Sequence, residues 1–134
     1  MQIRREIELQ ADLASVWHAL TDSDELSDWL GDPVELEMCP GGNGTIVDDE
    51  GMVRHARIRD VDPERRLSLR WWPEDGAVSE VTFELCPTEG GTRLVVTETP
   101  LGPVSAQASV AKAAYWEARL DTLWLRVSAA ALVR

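Results

Sequence analysis

The hydrophobic period of the chain changes near Pro100, and that change leaves few architectures open. From Val34 to Thr99 short alternating segments are broken by turn residues, the mark of an antiparallel meander. Val34, Leu36 and Met38 alternate with acids until the glycine-rich PGGNG at 40–44 forces a turn. A GTIVDD segment follows and, past Gly51, a longer one from Met52 to Val61 that Asp62-Pro63 ends. Leu67, Leu69 and Trp71 form one face of the next strand, Val81, Phe83 and Leu85 that of its successor, and Leu94 and Val96 that of the last; turns at 74–76 and 89–91 separate them. After Pro103, Ala106, Ser109, Ala113, Trp116, Leu120, Leu123, Val127 and Ala130 recur at spacings of three and four, with Trp124 widening the stripe. One helix is predicted over Val104–Val133.

The amino-terminal third adds three elements. Residues 2–10 read as a strand with Ile3, Arg5, Ile7 and Leu9 on one face. Asp12 is placed to cap a helix carrying Leu13, Val16, Trp17 and Leu20, with His18 off the stripe; Leu26, Trp29 and Leu30 mark a second short helix that Gly31 and Pro33 end. The sum is one α+β domain over 1–134: seven strands, two short helices between strands 1 and 2, and a long terminal helix. At 1.5 Å per residue the predicted helix spans about 45 Å, against a diameter of roughly 36 Å for a compact chain of this size. It must cross the whole sheet or bend. A curved sheet wrapped around it leaves a cavity between the two layers.

Charge narrows the function classes. With 24 acidic against 13 basic residues the net charge is −11, which opposes a nucleic acid; the one basic-looking stretch, Arg54 to Arg70, is interrupted by Asp60, Asp62 and Glu64. No apolar run approaches the roughly 18 residues of a membrane span, and MQIRREIELQ has no signal-peptide core. A cytoplasmic setting is expected. Cys39 and Cys86 form no CxxC and read as reduced thiols, and the two histidines, His18 and His55, stand apart, so neither metal nor cofactor is expected. Twelve of the thirteen bases are Arg; the one lysine, Lys112, is read as a trace of base composition and given no role.

Six tryptophans beside one Phe and one Tyr are the compositional oddity. Trp17 reads as core. Trp29 closes the second helix, where it either packs in the core or frames a cavity mouth. Trp71 points inward with Leu67 and Leu69, leaving Trp72 on the convex face, where a dimer contact would find it. Trp116, with Leu120 and Leu123, looks toward Trp71 and Phe83. Among polar residues, pairing Leu9 with Leu94 and Ile7 with Val96 predicts a cross-strand ion pair of Arg5 with Glu98 at the open end of the cavity. A bulge near Arg59 would turn Ala56, Ile58 and Arg54 inward and His55 outward, though a slip of one residue reverses this. PGGNG lacks a GK[ST] ending and a following helix, so it reads as a hairpin turn and cavity lip; no nucleophile motif is present.

The segments VWHALTDSDELSDWL at 16–30, RDVDPERRLSLRW at 59–71, SEVTFELCPTEGGTRLVVT at 79–97 and YWEARLDTL at 115–123 carry a resemblance. In their order the chain resembles the helix-grip START and polyketide-cyclase superfamily, often labelled SRPBCC. More narrowly it resembles the bacterial single-domain relatives of the activator of the heat-shock protein 90 ATPase. That resemblance implies a hydrophobic-ligand cavity walled by the sheet and roofed by the last helix, but no single reaction. The chaperone-activating function goes with an additional amino-terminal domain this chain is expected to lack, and is not carried over. The resulting expectation is a binder of a small apolar or aromatic molecule that uses Trp29, Arg54, Trp71, Phe83, Glu98, Trp116, Leu120 and Leu123. Nucleic acid and membrane are not expected as partners, and a homodimer is left open. Two alternatives stand beside it: an aromatase/cyclase-like or hydrolase-like enzyme working through Arg54, His55, Arg5 or Glu98, and an interaction module with a filled cavity and a contact patch around Trp72.

Overall fold

The computed structural model describes residues 2–74 and 76–132, with side chains of the last helix through Ser128. Asp75 of the predicted 74–76 turn, the side chain of Ala130 and the predicted helix end at Val133 lie outside the described residues. The elements run β1 (Ile3–Leu9), α1 (Leu13–Thr21), α2 (Ser23–Trp29), β2 (Val34–Leu36), β3 (Asn43–Val47), β4 (Val53–Asp62), β5 (Arg66–Pro73), β6 (Ser79–Thr88), β7 (Gly91–Pro100) and α3 (Ala106–Leu132). Local chemistry sets the helix starts: Asp12 accepts from the Ser15 amide at 2.8 Å and Asp22 from that of Glu25 at 3.1 Å, satisfying donors the first turns cannot. For α3, Pro103 offers no amide and the Ser105 hydroxyl accepts from the Ala108 amide at 3.1 Å.

All seven strands join one antiparallel sheet in the order β1-β7-β6-β5-β4-β3-β2. Consecutive strands are neighbours except that β1 closes onto β7. The buried sheet residues, among them Leu67, Leu69, Trp71, Val81, Phe83, Leu94 and Val96, share the concave face with Trp116, Leu120 and Leu123 of α3. This is the helix-grip arrangement. Val16, Leu20, Leu26 and Leu30 of the α1–α2 pair complete the core. Gly44 is needed where it stands, because a Cβ there would run into the backbone of Glu35 and Leu36 on β2.

The register of β4 against β5 shifts between Ile58 and Asp60, so Arg59 is the extra residue of a bulge. Before it Ala56 and Ile58 oppose Trp71 and Leu69; after it Val61 opposes Leu67. The bulge therefore keeps three apolar residues on the concave face and turns Arg54 inward with them.

The β1–β7 register corrects the sequence reading. Ile7 lies opposite Leu94, Arg5 opposite Val96 and Ile3 opposite Glu98, two residues away from the predicted pairing. Alternation fixes register only to a multiple of two. The choice falls to Thr92, buried opposite Leu9 with its hydroxyl donating to the Ala11 carbonyl at 2.8 Å. Arg5 thus never meets Glu98: its guanidinium pairs with Glu117 of α3 at 3.1 Å.

Candidate functional site

The space expected to be hollow is occupied by rings. Trp71 and Trp116 stack with centroids 5.5 Å apart and planes 14° from parallel. Phe83 meets Trp116 edge-on at 5.8 Å, and Trp29 meets Phe83 edge-on at 6.3 Å. None of the four is more than 2% exposed. Trp29 is also tied down by its indole N–H, which donates to the Ala19 carbonyl at 2.9 Å. Trp29, Phe83, Leu120 and Leu123 are packed in the core, where aromatic stacking offers more contact than an empty chamber of the same walls.

One carboxylate is embedded in this core. Glu98, near the end of β7, is 1% exposed. It accepts from the Trp116 indole at 2.9 Å, the Trp71 indole at 3.4 Å and the Lys112 ammonium at 2.8 Å. Burial pushes its pKa up, but the hydrogen bond and charge of Lys112, then Trp116 and Ser79, outweigh burial and hold it below the ordinary 4.5. Glu98 is a buried anion. Lys112, Trp116 and Leu120 sit four residues apart on α3, so one helix face presents the ammonium and the indole together.

Above Glu98 a pocket of about 490 Å³ opens between α3 and the β3–β4 hairpin, lined by Asp48, Glu50, Arg54, Glu98, Lys112 and Tyr115 with Asp49, Ala111 and Ala114. Arg54 lies in its wall with its guanidinium 4.9 Å from the ring centroids of both Trp71 and Tyr115, close enough for cation–π attraction to each. Asp48 stands 3.8 Å from it, and its Nη1 is buried without a hydrogen-bond partner. The Tyr115 hydroxyl donates to the Leu30 carbonyl at 2.6 Å; burial pushes its pKa up to about 12, against the opposing charges of Arg54 and Arg119. The hairpin tip is latched to the helix by Asp49 and Arg119 at 2.8 Å.

Of the residues singled out from sequence, Arg54 and Glu98 reach the pocket, while Trp71 and Trp116 stand behind it, one under Arg54 and both bonded to Glu98. His55 faces the convex side and stacks on a half-buried Trp72 at 6.1 Å. The lip is the Asp48–Glu50 turn and not PGGNG, whose Gly41 and Gly42 bond to Ile58 at 2.9 and 2.8 Å. Lys112 and Tyr115 were missed. Their signal was the helical period itself, since Lys112 is four residues before Trp116 on the inner stripe and was set aside as compositional. His18, Asp22 and Glu25 bring ligand atoms within 4.8 Å of one another across the α1–α2 junction, but Glu25 is already held by Arg126 at 3.0 Å.

A domain of this topology has structural counterparts. The family model described as Activator of Hsp90 ATPase homolog 1-like protein matches residues 10–125. The chain belongs to this family. Among solved structures, MLL2253 from Mesorhizobium loti is 24% identical, superimposes with a TM-score of 0.85, and the match covers 92% of this chain and 93% of that one. CalU16 from Micromonospora echinospora is 28% identical with a TM-score of 0.76, over 95% of this chain and 74% of its own. An Aha1 from Colwellia psychrerythraea, described as a dimer, is 17% identical with a TM-score of 0.79 over 96% of both chains. Among curated proteins none matches the chain. No helix among the described residues is long and apolar enough to cross a membrane.

Proposed function

We propose that this domain binds a small molecule with an aromatic or apolar body and a polar substituent, held between α3 and the β3–β4 hairpin. The observation that carries the reading is the ionised Glu98 at the floor of the 490 Å³ pocket, fixed by Lys112 and two indoles. Burying a charge is costly unless it is fully hydrogen-bonded, and here the donors are assembled where the pocket opens. Arg54 and Tyr115 add an aromatic-and-cationic wall with an unused N–H. The pocket size falls within the usual range for small-molecule sites.

Binding is favoured over catalysis by the state of Glu98. A carboxylate saturated with donors and held below its ordinary pKa is a weak base, and the Lys112 ammonium is engaged with it at 2.8 Å. Both are suited to orienting a ligand. We place the protein in the cytoplasm, a setting that the two exposed free cysteines fit. A homodimer is supported by the dimeric Colwellia relative alone.

Native mass spectrometry of the protein purified from its own host tests the reading. A small molecule retained by the wild type and lost in Arg54→Ala is the expected result. A wild type that carries nothing and shows no saturable change in tryptophan emission with a panel of aromatic and lipid compounds would overturn it.

A further inference from the structure

The convex face carries a second hollow, remote in chemistry from the first. Arg57, Arg59, Arg70, Trp72 and Val78 line a depression of about 400 Å³. Arg57 lies directly opposite Arg70 across β4 and β5, and like charges so placed oppose strand pairing. The bulge adds Arg59 to the same depression. Among the described residues a single acid answers these three: Glu80 stands 3.8 Å from Arg70, whose Nε remains buried without a partner. Arg57 and Arg59 are exposed and have no ion pair among the described residues. In a chain of net charge −11 acids are abundant, yet none among the described residues pairs with Arg57 or Arg59.

We infer that this depression is a binding site for a phosphomonoester attached to a planar ring. Three guanidiniums less one carboxylate leave about two uncompensated positive charges, matching the −1.5 to −2 of a phosphomonoester near neutrality. Planar N–H forks suit phosphate oxygens, and arginine is the usual residue for that contact. Trp72, steadied by the stacked His55, and Val78 offer the flat apolar surface against which the ring lies. The site shares no residue with the pocket beneath α3, so either can stand without the other.

The test is a titration of the full chain with phenyl phosphate at low salt, read on the indole N–H signals by nuclear magnetic resonance, with Trp72→Phe assigning one of the six. Saturable movement of the Trp72 signal is expected, weakened at least tenfold in the double variant Arg57→Ser/Arg59→Ser and weakened by added salt. Both positions are exposed, and Arg59→Ser alone, expected to weaken binding severalfold, gives the same reading if the double variant does not fold. Inorganic phosphate is expected to bind more weakly, for want of the ring. A wild type whose Trp72 signal does not saturate, binding undiminished by the arginine substitutions, or benzoate binding as tightly as phenyl phosphate would each overturn the assignment.

Discussion

Replacing Lys112 with methionine tests the electrostatic account of the core. The substitution keeps the aliphatic stem and removes the ammonium that sits 2.8 Å from Glu98. Breaking a fully buried pair costs about 3–5 kcal/mol and an exposed one about 1 kcal/mol or less. Glu98 is 2% exposed at its side chain but Lys112 is 27% exposed, so solvent takes part of the load and about 2 kcal/mol is expected. For a chain of this length that is a fall in Tm of about 6 °C. The sign with pH is decisive. Glu98 is held below its ordinary 4.5, so its contribution is complete above that value and is lost as pH falls through the folded pKa. Burial, the largest influence on Glu98, loses its main opponent in the variant. The deficit should therefore be widest near neutrality and should shrink on acidification below 4.5. Urea unfolding of wild type and Lys112→Met across that range gives the answer. A deficit under about 0.5 kcal/mol at neutral pH, or one that does not narrow with acid, would refute the reasoning.

Three further outcomes follow from the same geometry. Trp116→Ala should cost about 3–5 kcal/mol by opening a cavity, whereas Trp116→Phe, which keeps a ring but withdraws the N–H bonded to Glu98, should cost about 1–2 kcal/mol; a loss under about 0.5 kcal/mol in the phenylalanine variant by calorimetry would count against a role for that hydrogen bond. Asp49→Ala should change global stability by less than about 1 kcal/mol, since Asp49 is 66% exposed, while amide exchange in the β3–β4 hairpin quickens; unchanged exchange there would mean the latch holds nothing. Because Tyr115 is the only tyrosine, the tyrosinate ultraviolet band reports it alone, and it should emerge near pH 12. A transition near the ordinary 10.0 would show that the hydroxyl is not buried as described.

Element types were legible in the sequence because each signal is local. Period-two runs, the helical stripe from Ala106 through Leu123 to Ala130, and the cap at Asp12 all depend on neighbours within a turn or a strand. The bulge at Arg59 was legible too, since it alone reconciles Ala56 and Ile58 with Val61 on one face. The partner of Glu98 was not. Alternation leaves register open by steps of two, and the choice between Arg5 and Lys112 depended on how Thr92 settles against Ala11, a contact between residues far apart in the chain. The filled interior was equally hidden: sequence places Trp71, Phe83 and Trp116 on facing surfaces, but whether facing rings enclose a void or close on one another is decided by layer separation, which no periodicity encodes.

The pairing of β1 with β7 has a consequence for how the protein is made. Within this domain β1 is synthesised well before its partner Gly91–Pro100, so it waits with both of its backbone edges open while the meander assembles. Long-range pairing of this kind slows folding and prolongs exposure to mispairing. Arg4, Glu6 and Glu8, alternating along one side of that strand, are the sort of charges that discourage a nascent edge from joining another chain in the meantime.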